Sequence, residues 1–182
     1  MRFVPNIEGN ISLIGPMGAG KTTVGKHLSS MLQRPFFDSD REIESRTGVT
    51  IATIFDVEGE DGFRKRECAI IDELTHKENI VLATGGGVVL QALNRDRLKQ
   101  RCHVIYLKTS LEQLVKRTSK NKNRPLLQGG NPREKLRQIM EERREFYEST
   151  ADIQIETGRG SVRSVCMEIL RRLPKAAGSI EA

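Results

Sequence analysis

Eight consecutive residues, Gly15-Pro16-Met17-Gly18-Ala19-Gly20-Lys21-Thr22, constrain this chain more than any other part of it. They match G-x-x-x-x-G-K-[ST], a phosphate-binding loop. Both flanks suit that motif. Ile11-Ser12-Leu13-Ile14 ahead of it is short and apolar and reads as a buried strand. Thr23 to Leu32 behind it carries Val24, His27, Leu28, Met31 and Leu32 at helical spacing. A polyphosphate needs many N–H donors at short range in a positive field. Glycines let the backbone curl with its amides inward, and a helix starting at the loop adds free N–H groups and its dipole. In such a loop the lysine, here Lys21, reaches the β- and γ-phosphates, and the threonine, here Thr22, ligates Mg²⁺. The expected nucleotide-binding set is therefore Gly18, Ala19, Gly20, Lys21, Thr22 and Thr23.

The rest of the chain alternates strands and helices. Arg34 to Asp38 reads as a short strand ending on an acid, and Ser39 with Glu42 as a capping box that opens a helix running to Gly48. Asp38 and Asp40 then sit where a strand ends and a helix begins, the edge at which open α/β sheets bind ligands. Residues 50–78 read as inserted helical material, interrupted over Glu58 to Gly62. Having no role in a parallel sheet, this insert is the candidate substrate region, taken as 39–78. Ile80 to Ala83 is a third strand running into Thr84-Gly85-Gly86-Gly87, where bare backbone allows a close approach. His103 to Leu107 is a fourth strand. Thr109 with Glu112 reads as a second capping box. Residues 119–131 are polar, basic and aperiodic and read as a lid. Asn131-Pro132-Arg133-Glu134 opens a helix whose inner face reads Leu136, Ile139, Met140, Arg143 and Tyr147. Arg143 thus holds a slot meant for an apolar residue. It either snorkels to water or projects into a site and meets an anion. Asp152 to Ile155 is a fifth strand, a last helix follows, and the tail from Pro174 reads as disordered. The expectation is a single α/β domain, a three-layer sandwich around a five-stranded parallel sheet.

Composition narrows the class. The chain has 182 residues, enough for one sizeable core, and no tryptophan. No apolar run approaches the roughly 20 residues that span a bilayer, and the first residues lack the apolar centre of a secretion signal. Cys68, Cys102 and Cys166 are odd in number and widely spaced, the pattern of reduced thiols in a cytoplasm. The net charge of +6 suits either nucleic acid or small anionic substrates. Lys116 to Arg124 is basic but has no aromatic residue for base stacking.

No strand shows four apolar residues ending in Asp at the usual second metal position, so Asp38 is the best carboxylate for the Mg²⁺ shell. Taken together, Gly15–Thr22, Phe37-Asp38-Ser39-Asp40, Gly62-Phe63-Arg64, Ala83 to Gly87, Arg124-Pro125-Leu126-Leu127 and Glu142-Arg143 through Tyr147 resemble the shikimate kinase family in order and spacing over residues 10–173. The resemblance implies a nucleoside-monophosphate-kinase-like fold in which ATP phosphorylates the 3-hydroxyl of shikimate, in aromatic amino-acid biosynthesis. It implies that Asp40 binds the ring hydroxyls and receives the proton, and that Arg64 and Arg143 hold the substrate carboxylate. It further implies that Gly85, Gly86 and Gly87 contact the substrate through backbone, Arg124 closes over the phosphates, and Arg117 lies against adenine. One departure is Gly160, at a position that often carries a polar contact to adenine in this family. The planar fork of arginine matches a carboxylate, which agrees with two arginine clamps on a small acid. Glu67, three residues beyond Arg64, is placed to orient it.

These residues together lead to an expected ATP- and Mg²⁺-dependent monomeric kinase of the cytoplasm, with no nucleic-acid or membrane partner. Three alternatives stay open on the residues. One is another small-molecule kinase of the gluconate type, one is a nucleotide-dependent nucleic-acid module using Lys116 to Arg124, and one is a binding-only relative.

Overall fold

The computed structural model describes residues 7–119, 131–158 and 160–175. Five parallel strands form one sheet in the order β2-β3-β1-β4-β5, where β1 is Asn10–Ile14, β2 Phe36–Asp38, β3 Val81–Ala83, β4 Cys102–Thr109 and β5 Ile153–Thr157. Among the described residues seven α-helices connect or flank them: α1 (Lys21–Leu32), α2 (Ser39–Thr47), α3 (Ile51–Thr75), α4 (Ala92–Arg101), α5 (Leu111–Thr118), α6 (Pro132–Thr150) and α7 (Val162–Arg172).

Strand alternation produces the three layers. Ile11, Leu13, Val81, Ile105 and Leu107 point to one face and pack with Val24, Leu28, Val165 and Ile169 of α1 and α7. Ile14, Leu82, Val104 and Tyr106 point to the other and pack with Ile70, Ile71 and Leu74 of α3, Leu98 of α4 and Tyr147 of α6. The register Ile11↔Val81 and Ile11↔His103 places β1 between β3 and β4. The chain moves to one side of β1 for β2 and β3 and to the other for β4 and β5. β1 is thus the switch point of the sheet, and the glycine loop leaves its carboxyl end.

Four sequence expectations change in detail. The cap of α2 is Asp38, whose Oδ1 accepts from the Arg41 amide at 3.3 Å, and not Ser39. Ser39 is buried as the first helical residue, and its hydroxyl accepts from the Gly85 amide at 3.1 Å. Ser110, not Thr109, caps α5. Thr109 is still in β4, because the strand needs its backbone against Thr157. The break expected over 58–62 shrinks to Gly59 (φ 71°), a kink between two helical stretches of α3. His27 is exposed, and the inner face of α1 uses Gly25 instead. A Cβ at Gly25 would fall 2.5 Å from the Phe36 ring, so the helix lies close on β2. Asn131 caps α6 as expected, accepting from the Arg133 amide at 3.0 Å. Residues 120–130 of the expected lid, Arg124 among them, lie outside the described residues, as do 1–6, Arg159 and 176–182.

The three cysteines form no disulfide. Among the described residues no helix is long and apolar enough to cross a membrane.

Candidate active site

The glycine loop is a backbone device. Gly15, Gly18 and Gly20 have φ of 143°, 81° and 95°, a region that side chains with a Cβ rarely adopt. A Cβ on Gly15 would also fall 2.8 Å from the Leu107 carbonyl oxygen. α1 opens on Gly20 with no side-chain cap and no acid in its first turn. By contrast α2, α3, α5, α6 and α7 open on Asp38, Thr50, Ser110, Asn131 and Ser161, each accepting from an amide. The uncapped start leaves its N–H groups and positive dipole end to whatever anion arrives.

Lys21 is buried, and its Nζ donates to the carbonyls of Gly15 at 2.7 Å and Pro16 at 2.9 Å. The ammonium is thereby held at the loop's inner edge. The Thr22 hydroxyl donates to Asp38 Oδ2 at 2.7 Å. These are two hard oxygens at the carboxyl edge of the sheet. They fit Mg²⁺, which takes few protein oxygens and completes its shell with phosphate and water. No larger set of His, Cys, Asp and Glu able to hold a metal exists among the described residues. Arg117 braces the loop, its Nη1 donating to Gly18 and Ala19 carbonyls at 3.1 and 3.3 Å.

The glycine triplet after β3 works through space rather than through unusual φ. A Cβ on Gly85 would lie 2.6 Å from Asp40 Oδ1 and 3.0 Å from Glu67 Oε1. On Gly86 it would lie 3.1 Å from the Met17 amide nitrogen of the loop, and on Gly87 2.4 Å from both terminal nitrogens of Arg64. Three consecutive residues therefore touch, in turn, an acid pair, the phosphate loop and a guanidinium.

Arg64 is buried between two carboxylates. Its Nη1 donates to Glu67 Oε2 at 2.8 Å, and its Nε and Nη2 donate to Glu60 Oε1 at 3.1 and 2.9 Å. Arg143 reaches the same floor from α6, donating from Nη1 to the Gly86 carbonyl at 3.2 Å. The Tyr147 hydroxyl donates to that same carbonyl, and its ring stacks on Tyr106 with centroids 5.0 Å apart. Arg143 does not snorkel. It is buried, and its Nε has no partner.

Asp40 Oδ1 and Glu67 Oε1 are also buried without a hydrogen-bond partner. Burial, then the charges of Glu67 and Asp38, raise the Asp40 carboxyl from 3.8 to about 7, against the pull of Lys21 and Arg64. Burial likewise holds the Glu67 carboxyl above its ordinary value, despite Arg64. Unpaired polar atoms in a desolvated pocket are costly unless a ligand completes them.

Lys21, Thr22, Asp38, Asp40, Arg64, Gly85, Gly86, Gly87 and Arg143 all line one cleft of about 600 Å³, with Gly18, Gly20 and Thr23 at its loop end. Ala19 is buried under the loop and Arg117 lies on the loop's carbonyls, so neither lines that cleft. Three roles in the site come from the structure. Phe55 and Phe63 form an aromatic wall with centroids 5.0 Å apart, Tyr147, placed on the inner face of its helix by spacing, fixes the Gly86 carbonyl, and Glu60 occupies Arg64. Of these roles only that of Glu60 has a signal in the sequence, four residues before Arg64 in a helix.

The family model described as shikimate kinase matches residues 17–174. A shikimate kinase of Nitrosococcus oceani is 54% identical over 169 residues, 93% of this chain and 89% of that protein. The solved structure of shikimate kinase from Acinetobacter baumannii in complex with shikimate superposes with a TM-score of 0.88 at 53% identity, covering 90% of this chain and 91% of that one. The solved shikimate kinase of Aquifex aeolicus superposes with a TM-score of 0.77 at 38% identity, covering 89% of this chain and 94% of that one. With a phosphate loop at one end of its cleft and two buried arginines at the other, the chain belongs to the shikimate kinase family, ATP-dependent kinases that act on a hydroxyl of shikimate.

Proposed function

We propose that this cleft carries out the family reaction with the residues just described. The γ-phosphoryl group of ATP passes to the 3-hydroxyl of shikimate, giving ADP and shikimate 3-phosphate. The observation that carries the assignment is the glycine triplet, which brings Asp40, the phosphate loop and Arg64 to three consecutive residues.

The amides of Gly18, Ala19 and Gly20 and the start of α1 bind the phosphates, with Thr23 beside them. Lys21 offsets negative charge on the phosphoryl group in flight. Thr22 and Asp38 hold Mg²⁺, which when bound neutralises charge on the phosphate oxygens. Arg64 and Arg143 clamp the substrate carboxylate with their forks, and the Gly86 amide and its neighbours bound the ring by backbone. Asp40 accepts hydrogen bonds from the ring hydroxyls and takes the proton of the attacking one as the O–P bond forms. The phosphoryl transition state is loose, so orientation by Asp40 matters more than its basicity. Arg117 supports the adenine side of the loop. Residues 39–78, that is α2, α3 and the turn beyond, serve as the substrate-binding part of a single kinase domain.

The protein acts as a cytoplasmic monomer on small molecules. Its positive charge serves anionic substrates. ADP production from ATP and Mg²⁺ tests the reading. Shikimate should stimulate it, and gluconate and oligonucleotides should not. Turnover with gluconate but not shikimate would overturn the assignment of the carboxylate end.

A further inference from the structure

Arg64 carries two carboxylates, and they are held in unlike ways. Glu67 is completely buried, with its side chain 0% exposed, and takes one N–H from Nη1. Glu60 is 49% exposed, and a single oxygen of it takes both Nε and Nη2. Arg64 itself is 7% exposed. The two arginines at this end are thus already matched in charge by two glutamates, with Asp40 beside them. A further carboxylate entering with a substrate would face net like charge unless one glutamate gave way.

Which one gives way follows from solvent. Glu67 cannot leave without dragging a charge through the core or abandoning Arg64 inside it. Glu60 exchanges a bond to Arg64 for water at little cost, because an exposed ion pair is worth little. There is also room for it to turn. Glu60 lines a second cavity of about 360 Å³ together with Lys135, Glu142 and Arg143.

We propose that Glu60 is an exchangeable counter-ion. It occupies the Nε–Nη2 edge of Arg64 in the free protein and cedes that edge to the carboxylate of the substrate. Glu67 stays, as the permanent positioning partner. Glu60 therefore tunes affinity for the acid by competing with it, and keeps the guanidinium oriented while the site is empty. The inference rests on the reading of Arg64 as a partner of the shikimate carboxylate.

Titration calorimetry with the full chain tests it, using Glu60→Gln, the unaltered protein, shikimate and its methyl ester. The expected result is a shikimate Kd roughly 2- to 5-fold lower in Glu60→Gln, the scale of one exposed ion pair converted to affinity. Binding of the ester, which has no charge to exchange, stays within about twofold, and Glu60→Asp restores the original shikimate Kd. A shikimate Kd that is unchanged or higher in Glu60→Gln overturns the proposal, as does an equal gain for acid and ester. Arg64→Ala separates loss of the exchange from loss of the carboxylate contact itself. If it leaves shikimate affinity intact, Arg64 does not hold the carboxylate, and the exchange falls with that reading.

Discussion

The two ends of the cleft are built by opposite means. The phosphate end is eight consecutive residues whose work is done by backbone amides, an uncapped helix start and one lysine. The carboxylate end is side chains drawn from α2, α3 and α6, with the turn after β3 as its floor. The first is a local object, set by where glycine permits the chain to go. The second exists only when α3 and α6 dock on the same face of the sheet, and its charges are buried and mutually dependent. The difference teaches where each end is vulnerable. The phosphate end should fail through a lost charge or a lost glycine, with the fold intact. The carboxylate end should fail through misplacement as readily as through deletion.

The largest effect should come from Lys21→Met. Shikimate-dependent ADP production should fall at least about 10³-fold, as for loss of a preorganised charge at the transferring group. The thermal midpoint should shift by no more than about 2 °C, since Lys21 donates to carbonyls of its own loop. Normal turnover in this variant would remove the phosphate loop from the chemistry.

Next is Arg143→Ala. The shikimate KM should rise roughly 100-fold, the scale of a buried charge-assisted pair. The ATP KM should stay within about twofold, because Arg143 donates to Gly86 and to nothing in the phosphate loop. Should the ATP KM collapse alone, the separation of the two ends would be wrong.

Gly87→Ala tests misplacement without removing a charge. The added methyl would sit 2.4 Å from both terminal nitrogens of Arg64. Arg64 is held by the buried Glu67 and cannot yield freely. The shikimate KM should rise by about 10-fold with Arg64 still present, as expected for a shifted positioning group. Unaltered kinetics would show that the guanidinium tolerates displacement.

The smallest effect concerns stability and pH. The folded Asp40 carboxyl sits at about 7, above its ordinary 3.8. A carboxyl raised on folding lends stability that is fully present below its unfolded value and is lost as pH rises through the folded one. In metal-free, ligand-free protein, Asp40→Asn should therefore melt higher than the unaltered protein at pH 8, by about 2–4 °C. The gap should close as pH falls toward 4. A gap that persists at pH 4 would mean the gain is not electrostatic.

Legibility followed the same division. The loop, the five strands and the cap at Asn131 could be read from neighbouring residues, because local backbone chemistry makes them. Arg143 announced itself as a charge in an apolar slot, and burial bears that out. The sequence pattern puts the cap of α2 one residue late, at Ser39 in place of Asp38, because both residue types cap well. What chose between them was the Gly85 amide, which claims the Ser39 hydroxyl across the sheet. The parts that Glu60 and Tyr147 play in the cleft are not legible, since nothing beside them in the chain tells an ordinary surface acid or core aromatic from a partner of the cleft.

What the order of residues settles here is chemistry that needs no distant partner: the glycine loop, the sheet's alternation and the presence of two arginines and an acid pair. What folding adds is their meeting. Gly85, Gly86 and Gly87 carry no chemistry of their own, yet they set how near Asp40, the loop and Arg64 can come. The depth at which Glu67 is buried and Glu60 left in water is likewise a property of how α3 lies on the sheet. Electrostatic strength depends on distance and solvent, and only the packed chain specifies either.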